Sequence, residues 1–290
     1  MAVVARVYIV RHGETDANRQ GVIQGQLDTA LNEAGIQQAR LVADALEDVP
    51  LGAAYSSDLQ RARKTWADLG HRYPLVRAAH SIDPGPPAYA WATQTAEIVL
   101  ENHPKVELEA VEALRERFMG QWQGGPVAKR SNPPPDLEPL IDFNARGVEW
   151  WNRTVARHAQ RKASELRARR DGCAAASDAK SGSDGDAWHA NGDANAGVFG
   201  GEEEEMAELG FEPIHILAVS HGGLIGSLVA NLLGSRKVRA AEGVSTGWCY
   251  NASISVIDVE ESGKGVLISY ADTTHLDGDV LQHNADVQLN

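Results

Sequence analysis

The sequence predicts an α/β fold built on a mainly parallel sheet. Two apolar runs, Val7–Val10 and Ile214–Val219, read as buried strands. Each is followed by a His-Gly pair, in Arg11-His12-Gly13 and in Ser220-His221-Gly222. Between and after them, segments with apolar residues at helical spacing alternate with short strand-like runs, the pattern of α/β architecture. In such sheets ligands bind beyond the carboxyl ends of the strands, so the two His-Gly pairs mark a candidate site.

The elements follow in order. Val3–Val10 is the first strand, and the Gly-, Gln- and Asp-rich stretch Gly13–Leu31 is a loop. Asn32 caps a helix running to about Leu46, with Ile36, Ala39, Ala43 and Leu46 on one face. Leu51–Tyr55 is a second strand, and Ser56-Ser57-Asp58 caps a helix opening at Leu59-Gln60-Arg61-Ala62. That helix is interrupted after Lys64-Thr65, and the following stretch contains Pro84-Gly85-Pro86-Pro87. Omitting residues 66–95 would join Thr65 to Ala96-Glu97-Ile98 in one continuous amphipathic helix. Residues 66–95 are therefore an irregular insertion, either a genuine loop or a retained intron in the coding sequence. Val106–Glu109 is a short strand, and Ser131-Asn132-Pro133-Pro134-Pro135 is a linker. Residues 126–170 are expected to form a helical cap, helical from Ile141 to about Arg170 with a basic far end. Residues 171–205 are low in core-forming side chains and are expected to be a second, disordered insertion. After Ile214–Val219, Leu224–Leu233 is an apolar helix stopped by Gly234. Ser253–Val259 and Val266–Tyr270 form a closing hairpin, and 277–290 is a polar tail. One domain spans 1–290.

Composition narrows the function classes. Of 290 residues 43% are hydrophobic, enough for a real core, and the net charge of −13 argues against nucleic acid as a partner. Two cysteines, Cys173 and Cys249, make no disulfide framework, which suits a reducing compartment. The N-terminal stretch lacks the pattern of a secretion signal, and no apolar run reaches the length of a membrane span. The expected setting is the cytoplasm, with the nucleus an open alternative. Oligomeric state is not legible.

The chemistry-bearing residues converge on an anion. Arg11 and Arg61 offer planar donor forks suited to phosphate oxygens. A helix start at Arg61 adds backbone N–H groups. His12 and His221 can act as base or nucleophile. A divalent metal on the two histidines is the rival reading, but it needs a third ligand, and neighbouring arginines would repel it.

The set Arg11-His12-Gly13-Glu14-Thr15, Ser57-Asp58-Leu59-Gln60-Arg61-Ala62, Leu114-Arg115-Glu116-Arg117 and Ser220-His221-Gly222 stands in an order that resembles the histidine phosphatase superfamily. The likeness is to its branch of phosphoglycerate mutases and fructose-2,6-bisphosphatases. It implies a phosphoglycerate mutase-like three-layer α/β/α sandwich. It implies that His12 takes the phosphoryl group, that Arg11, Arg61 and His221 clamp its oxygens, and that Glu116 is general acid and then base. It also implies that Asn18, Gln24, Gly25 and Gly222 contact substrate, and that no cofactor or metal is required. The implied partner is a small phosphorylated metabolite, of sugar phosphate or bisphosphate type. Three activities stay open: a phosphomonoesterase, a phosphoglycerate mutase, and a catalytically weak binding protein. Mutases usually carry a tyrosine three residues after the glutamate, where this chain has Met119. His275 falls in a stretch that the family often has near its C-terminus, and a structural role is expected for it.

Overall fold

The computed structural model describes residues 1–62, 95–129, 132–181, 205–207 and 209–276. Its seven-stranded sheet comprises β1 (Val3–Arg11), β2 (Leu51–Ser56), β3 (Leu108–Ala110), β4 (Ile214–Ser220), β5 (Val238–Ala240), β6 (Ile254–Glu260) and β7 (Gly265–Asp272). The spatial order is β3-β2-β4-β1-β6-β7-β5. Strands β3, β2, β4 and β1 run parallel, and β6 turns antiparallel to both β1 and β7. The helices are α1 (Asp16–Arg19), α2 (Glu33–Ala45), α3 (Thr95–Leu100), α4 (Leu140–Arg153), α5 (Val155–Ser181) and α6 (Gly222–Gly234).

Side-chain alternation along the central strands divides the core into two. Ala5, Val7 and Ile9 of β1, with Ile216 and Ala218 of β4, enter the core shared with α4, α5 and α6. Tyr8, Val10, Leu217 and Val219 enter the core shared with α2 and α3. Helices thus cover both faces of a mainly parallel sheet, as expected.

Register fixes the site. β4 lies between β1 and β2, although both precede it in sequence. Arg11 pairs with Ser220, and Ser56 pairs with Val219. His12 and His221 therefore leave the sheet side by side, with Ser57 across β4 from His12. Backbone bonds continue past the strand ends: His12 N donates to Ser220 O at 3.0 Å and Ser57 N to Val219 O at 2.9 Å.

Several boundaries differ from those expected. The helix foreseen from Ile141 to Arg170 is two helices that meet at Thr154. The cap assignment fails for its second half, because α5 packs on β1 and β4 with Val155, Ala159, Ala163 and Leu166 buried in the core. Those four positions form a helical stripe, and their burial outweighs the basic face opposite. Disorder from residue 171 is also wrong for its first part, since α5 continues to Ser181. The Ala-rich run there has high intrinsic helix propensity. The rest of that segment to 204, most of the 66–95 insertion, and the 277–290 tail lie outside the described residues. Thr95, placed in the insertion by sequence, is the buried first residue of α3. The expected loop 13–31 contains the short helix α1.

Candidate active site

His12 is 1% exposed and sits where β1 ends. Its Nδ1 lies 2.7 Å from the Gly13 carbonyl, which can only accept, so Nδ1 carries the proton. Nε2 is left with its lone pair, and Arg61 Nε donates to it at 3.3 Å. Burial, then the charges of Arg61 and Arg11, hold the His12 imidazole well below the ordinary histidine pKa, with the Gly13 bond opposing them.

The same physics acts on His221, whose ring centroid is 5.1 Å from that of His12. Burial, Arg61, His12 and Arg11 all depress its pKa. His221 Nε2 is 2.8 Å from Ser57 Oγ, and Oγ accepts from Leu59 N at 3.3 Å. When the Ser57 hydroxyl donates to Nε2, the ring proton sits on Nδ1. That Nδ1 is buried without a hydrogen-bond partner among the described residues.

The two arginines are anchored through backbone carbonyls. Arg61 donates from Nη1 to Leu27 O and from Nη2 to Gly25 O, both at 2.7 Å. Arg11 Nη1 donates to Cys249 O at 2.7 Å. Gly222, which opens α6, lies against this guanidinium: a Cβ there would be 2.9 Å from Arg11 Nη1. Glu116 is 8% exposed, and its two carboxylate oxygens accept from Gly223 N at 2.9 Å and Arg117 N at 2.8 Å. A side chain at Gly223 would collide with that carboxylate.

The structure thus gathers Arg11, His12, Arg61 and His221, and ties Glu116 to α6 beside them. Two expected substrate contacts are placed differently. Asn18 is buried in a capping box with Thr15, its Oδ1 accepting from Thr15 N at 3.1 Å. Gln24 is fully buried, and its Oε1 accepts from the Thr15 hydroxyl at 3.0 Å. Both brace the loop after His12. Gly25 borders a cavity of about 460 Å³ together with Glu116, Gly222, Met119, Phe143 and Trp248.

Sequence reasoning missed three supports. Thr95 Oγ1 accepts from Gly13 N at 3.0 Å and donates to Arg61 O at 3.2 Å, linking the two halves of the site. Asn251 Nδ2 donates to the carbonyls of His12, at 2.9 Å, and Gly13, at 3.2 Å. Ser57 orients His221; its place in the quoted motif was the only signal for any of the three. His275 Nε2 is 2.9 Å from Ala252 O, a structural contact. Among the described residues no group of three His, Cys, Asp or Glu is placed to hold a metal, and no helix is long and apolar enough to cross a membrane.

Two buried arginines thus stand beside a strand-end histidine in this sheet. The description "Histidine phosphatase superfamily (branch 1)" matches residues 7–80. Residues 7–80 are thus similar to the histidine phosphatase superfamily. It is 28% identical over 156 residues to a probable phosphatase of Schizosaccharomyces pombe, covering 52% of this chain and 60% of that one. A phosphoglycerate mutase-like protein of Arabidopsis thaliana is 32% identical, with 50% of each chain covered. The chain thus spans about half the length of these curated relatives. The fold matches a mycobacterial glucosyl-3-phosphoglycerate phosphatase solved with VO3, at a TM-score of 0.52 and 21% identity, over 94% of this chain and all of that one.

Proposed function

We propose that the chain is a phosphatase that hydrolyses a phosphomonoester of a small metabolite through a phosphohistidine on His12. The observation that carries this reading is the fixed tautomer of His12. Nδ1 is committed to the Gly13 carbonyl, so the Nε2 lone pair faces the space between Arg61 and His221. A neutral imidazole in that state is a nucleophile without further activation.

In the first step Nε2 attacks phosphorus and the bond from phosphorus to the ester oxygen breaks. Glu116, protonated, gives its proton to the departing alkoxide. Arg11, Arg61 and the Nδ1–H of His221 stabilise charge on the three equatorial oxygens. In the second step the Glu116 carboxylate takes a proton from water as the oxygen attacks phosphorus. The P–Nε2 bond breaks, and inorganic phosphate leaves with His12 neutral again. No step calls on a metal or other cofactor, because the two guanidinium groups supply the positive charge.

The test uses purified full-length chain. Incubated with a labelled phosphate ester and quenched in alkali, it should yield an acid-labile phosphoprotein and release free phosphate. His12→Ala should yield neither. Incubation with 3-phosphoglycerate and 2,3-bisphosphoglycerate separates the mutase: isomer formed faster than phosphate would overturn the hydrolase reading.

A further inference from the structure

We infer that the cavity beside Glu116 recognises an apolar alcohol moiety, so that the preferred ester carries one anionic group, its phosphate, and a chain or ring of carbon. The inference rests on the phosphatase reading and names the substrate class for the same site.

The leaving oxygen must lie near Glu116, and the rest of the substrate must extend into the space Glu116 borders. That space is the cavity of about 460 Å³, the size of a small-molecule site. Its walls include Met119, Trp122, Phe143, Trp248 and Tyr270, with Glu116, Arg117 and Ser227 among the polar side chains. The Lys or Arg lining it among the described residues is Arg117, whose Nε already donates to Glu138 O at 2.8 Å. Arg146, close by, is committed to the Glu138 carboxylate at 2.9 Å and to the carbonyls of Ala113, Arg115 and Glu116. A second phosphate or a carboxylate in this cavity would therefore lose its water against aromatic walls with one cation to offset the loss. A bisphosphate or a phosphoglycerate is a poor fit; a hydrocarbon is a good one.

Two further features agree. Trp248 stays 47% exposed at the cavity while Phe143 is buried, so an apolar ligand would cover an aromatic face that the fold leaves in water. Tyr270, partly buried in the cavity wall, has its phenol pKa pushed upward by that burial and offers no negative charge.

The experiment is a series of n-alkyl phosphates from ethyl to octyl, whose leaving alcohols differ little in basicity. In parallel, the matching alkylphosphonates, which cannot be hydrolysed, are titrated by calorimetry. Expected is a rise of about fourfold per methylene, in kcat/KM and in phosphonate affinity, until the cavity fills. Trp248→Ser, at an exposed position that folding tolerates, should flatten both slopes. Phosphonate affinity that does not change with chain length would overturn the inference, as would fructose bisphosphate or 3-phosphoglycerate exceeding hexyl phosphate in kcat/KM. Graded phosphonate binding with no ester hydrolysed would sink the phosphatase reading while supporting the apolar recognition.

Discussion

In the proposed reaction His12 attacks phosphorus only while it is neutral and its proton is on Nδ1. Both conditions come from its surroundings: the Gly13 carbonyl takes the proton, and burial with two arginines disfavours the cation. The acid limb of kcat/KM due to His12 is therefore expected below the ordinary histidine value of about 6.5. Stability has the same sign. The folded pKa values of His12 and His221 lie below their unfolded values, so the unfolded chain binds more protons in the interval between. Stability from these groups is complete above about pH 6.5 and is lost as pH falls toward the lowered values. Urea midpoints at pH 7.5 and 5.5 measure the drop, and His221→Gln should make it smaller. A midpoint that rises on acidification would contradict this account. At Gly223 the added Cβ of Gly223→Ala displaces the Glu116 carboxylate. The expected result is a fall in kcat of about 10²-fold with little change in melting temperature; an unchanged kcat would remove Glu116 from the reaction.

At the scale of elements, the site is a meeting of three parallel strand ends and the helices that follow them. The α2 start is pressed onto the loop after His12, because Gly35 lies against the Glu14 backbone with no room for a Cβ. The α3 start is joined to that loop by Thr95. Replacing Thr95 with valine keeps the shape and removes the hydroxyl, leaving the buried Gly13 N–H without its partner. Thr95→Val should cost about 1–3 kcal/mol in equilibrium unfolding. It should also lower kcat/KM, since the same hydroxyl holds the Arg61 carbonyl. Loss of stability with full activity would show that Thr95 supports the fold but not the position of Arg61.

At the scale of the whole molecule, the turn ending at Ala62, where the sequence predicted a helix, meets the start of α3 through space. Ala96 N donates to Ala62 O at 3.3 Å, the bond that an uninterrupted helix makes between residues four apart if 65–94 are left out of the count. Thr95 bonding back to Arg61 O fits the same count, with Thr95 standing in the place of position 65. A chain with Lys64 joined directly to Thr95 is expected to unfold cooperatively and to keep the proposed phosphatase activity. Circular dichroism melts and phosphate release check this; a shortened chain that folds but is inactive would give the insertion a part in the reaction.

How much of this was legible beforehand depended on how local each feature is. The strands Val3–Arg11 and Ile214–Ser220 and the cap at Asn32 are written in short-range patterns, and so were read correctly. The three-residue strand Val238–Ala240 is too short to leave a pattern and was not foreseen. The basic residues of α5 suggested a cap, whereas the apolar stripe Val155, Ala159, Ala163 and Leu166 takes that helix to the sheet. The sequence by itself determined the parallel α/β architecture and the candidates Arg11, His12, Arg61 and His221, because strand-end motifs keep chemistry and backbone together in a few residues; Glu116 was named only through the resemblance to the family. Tertiary structure alone decided which nitrogen of His12 is unprotonated, what holds Arg61, and the largely apolar character of the cavity. Those depend on carbonyls of Gly13, Gly25, Leu27 and Cys249, which every residue type possesses, and on side chains brought together from distant segments of the chain.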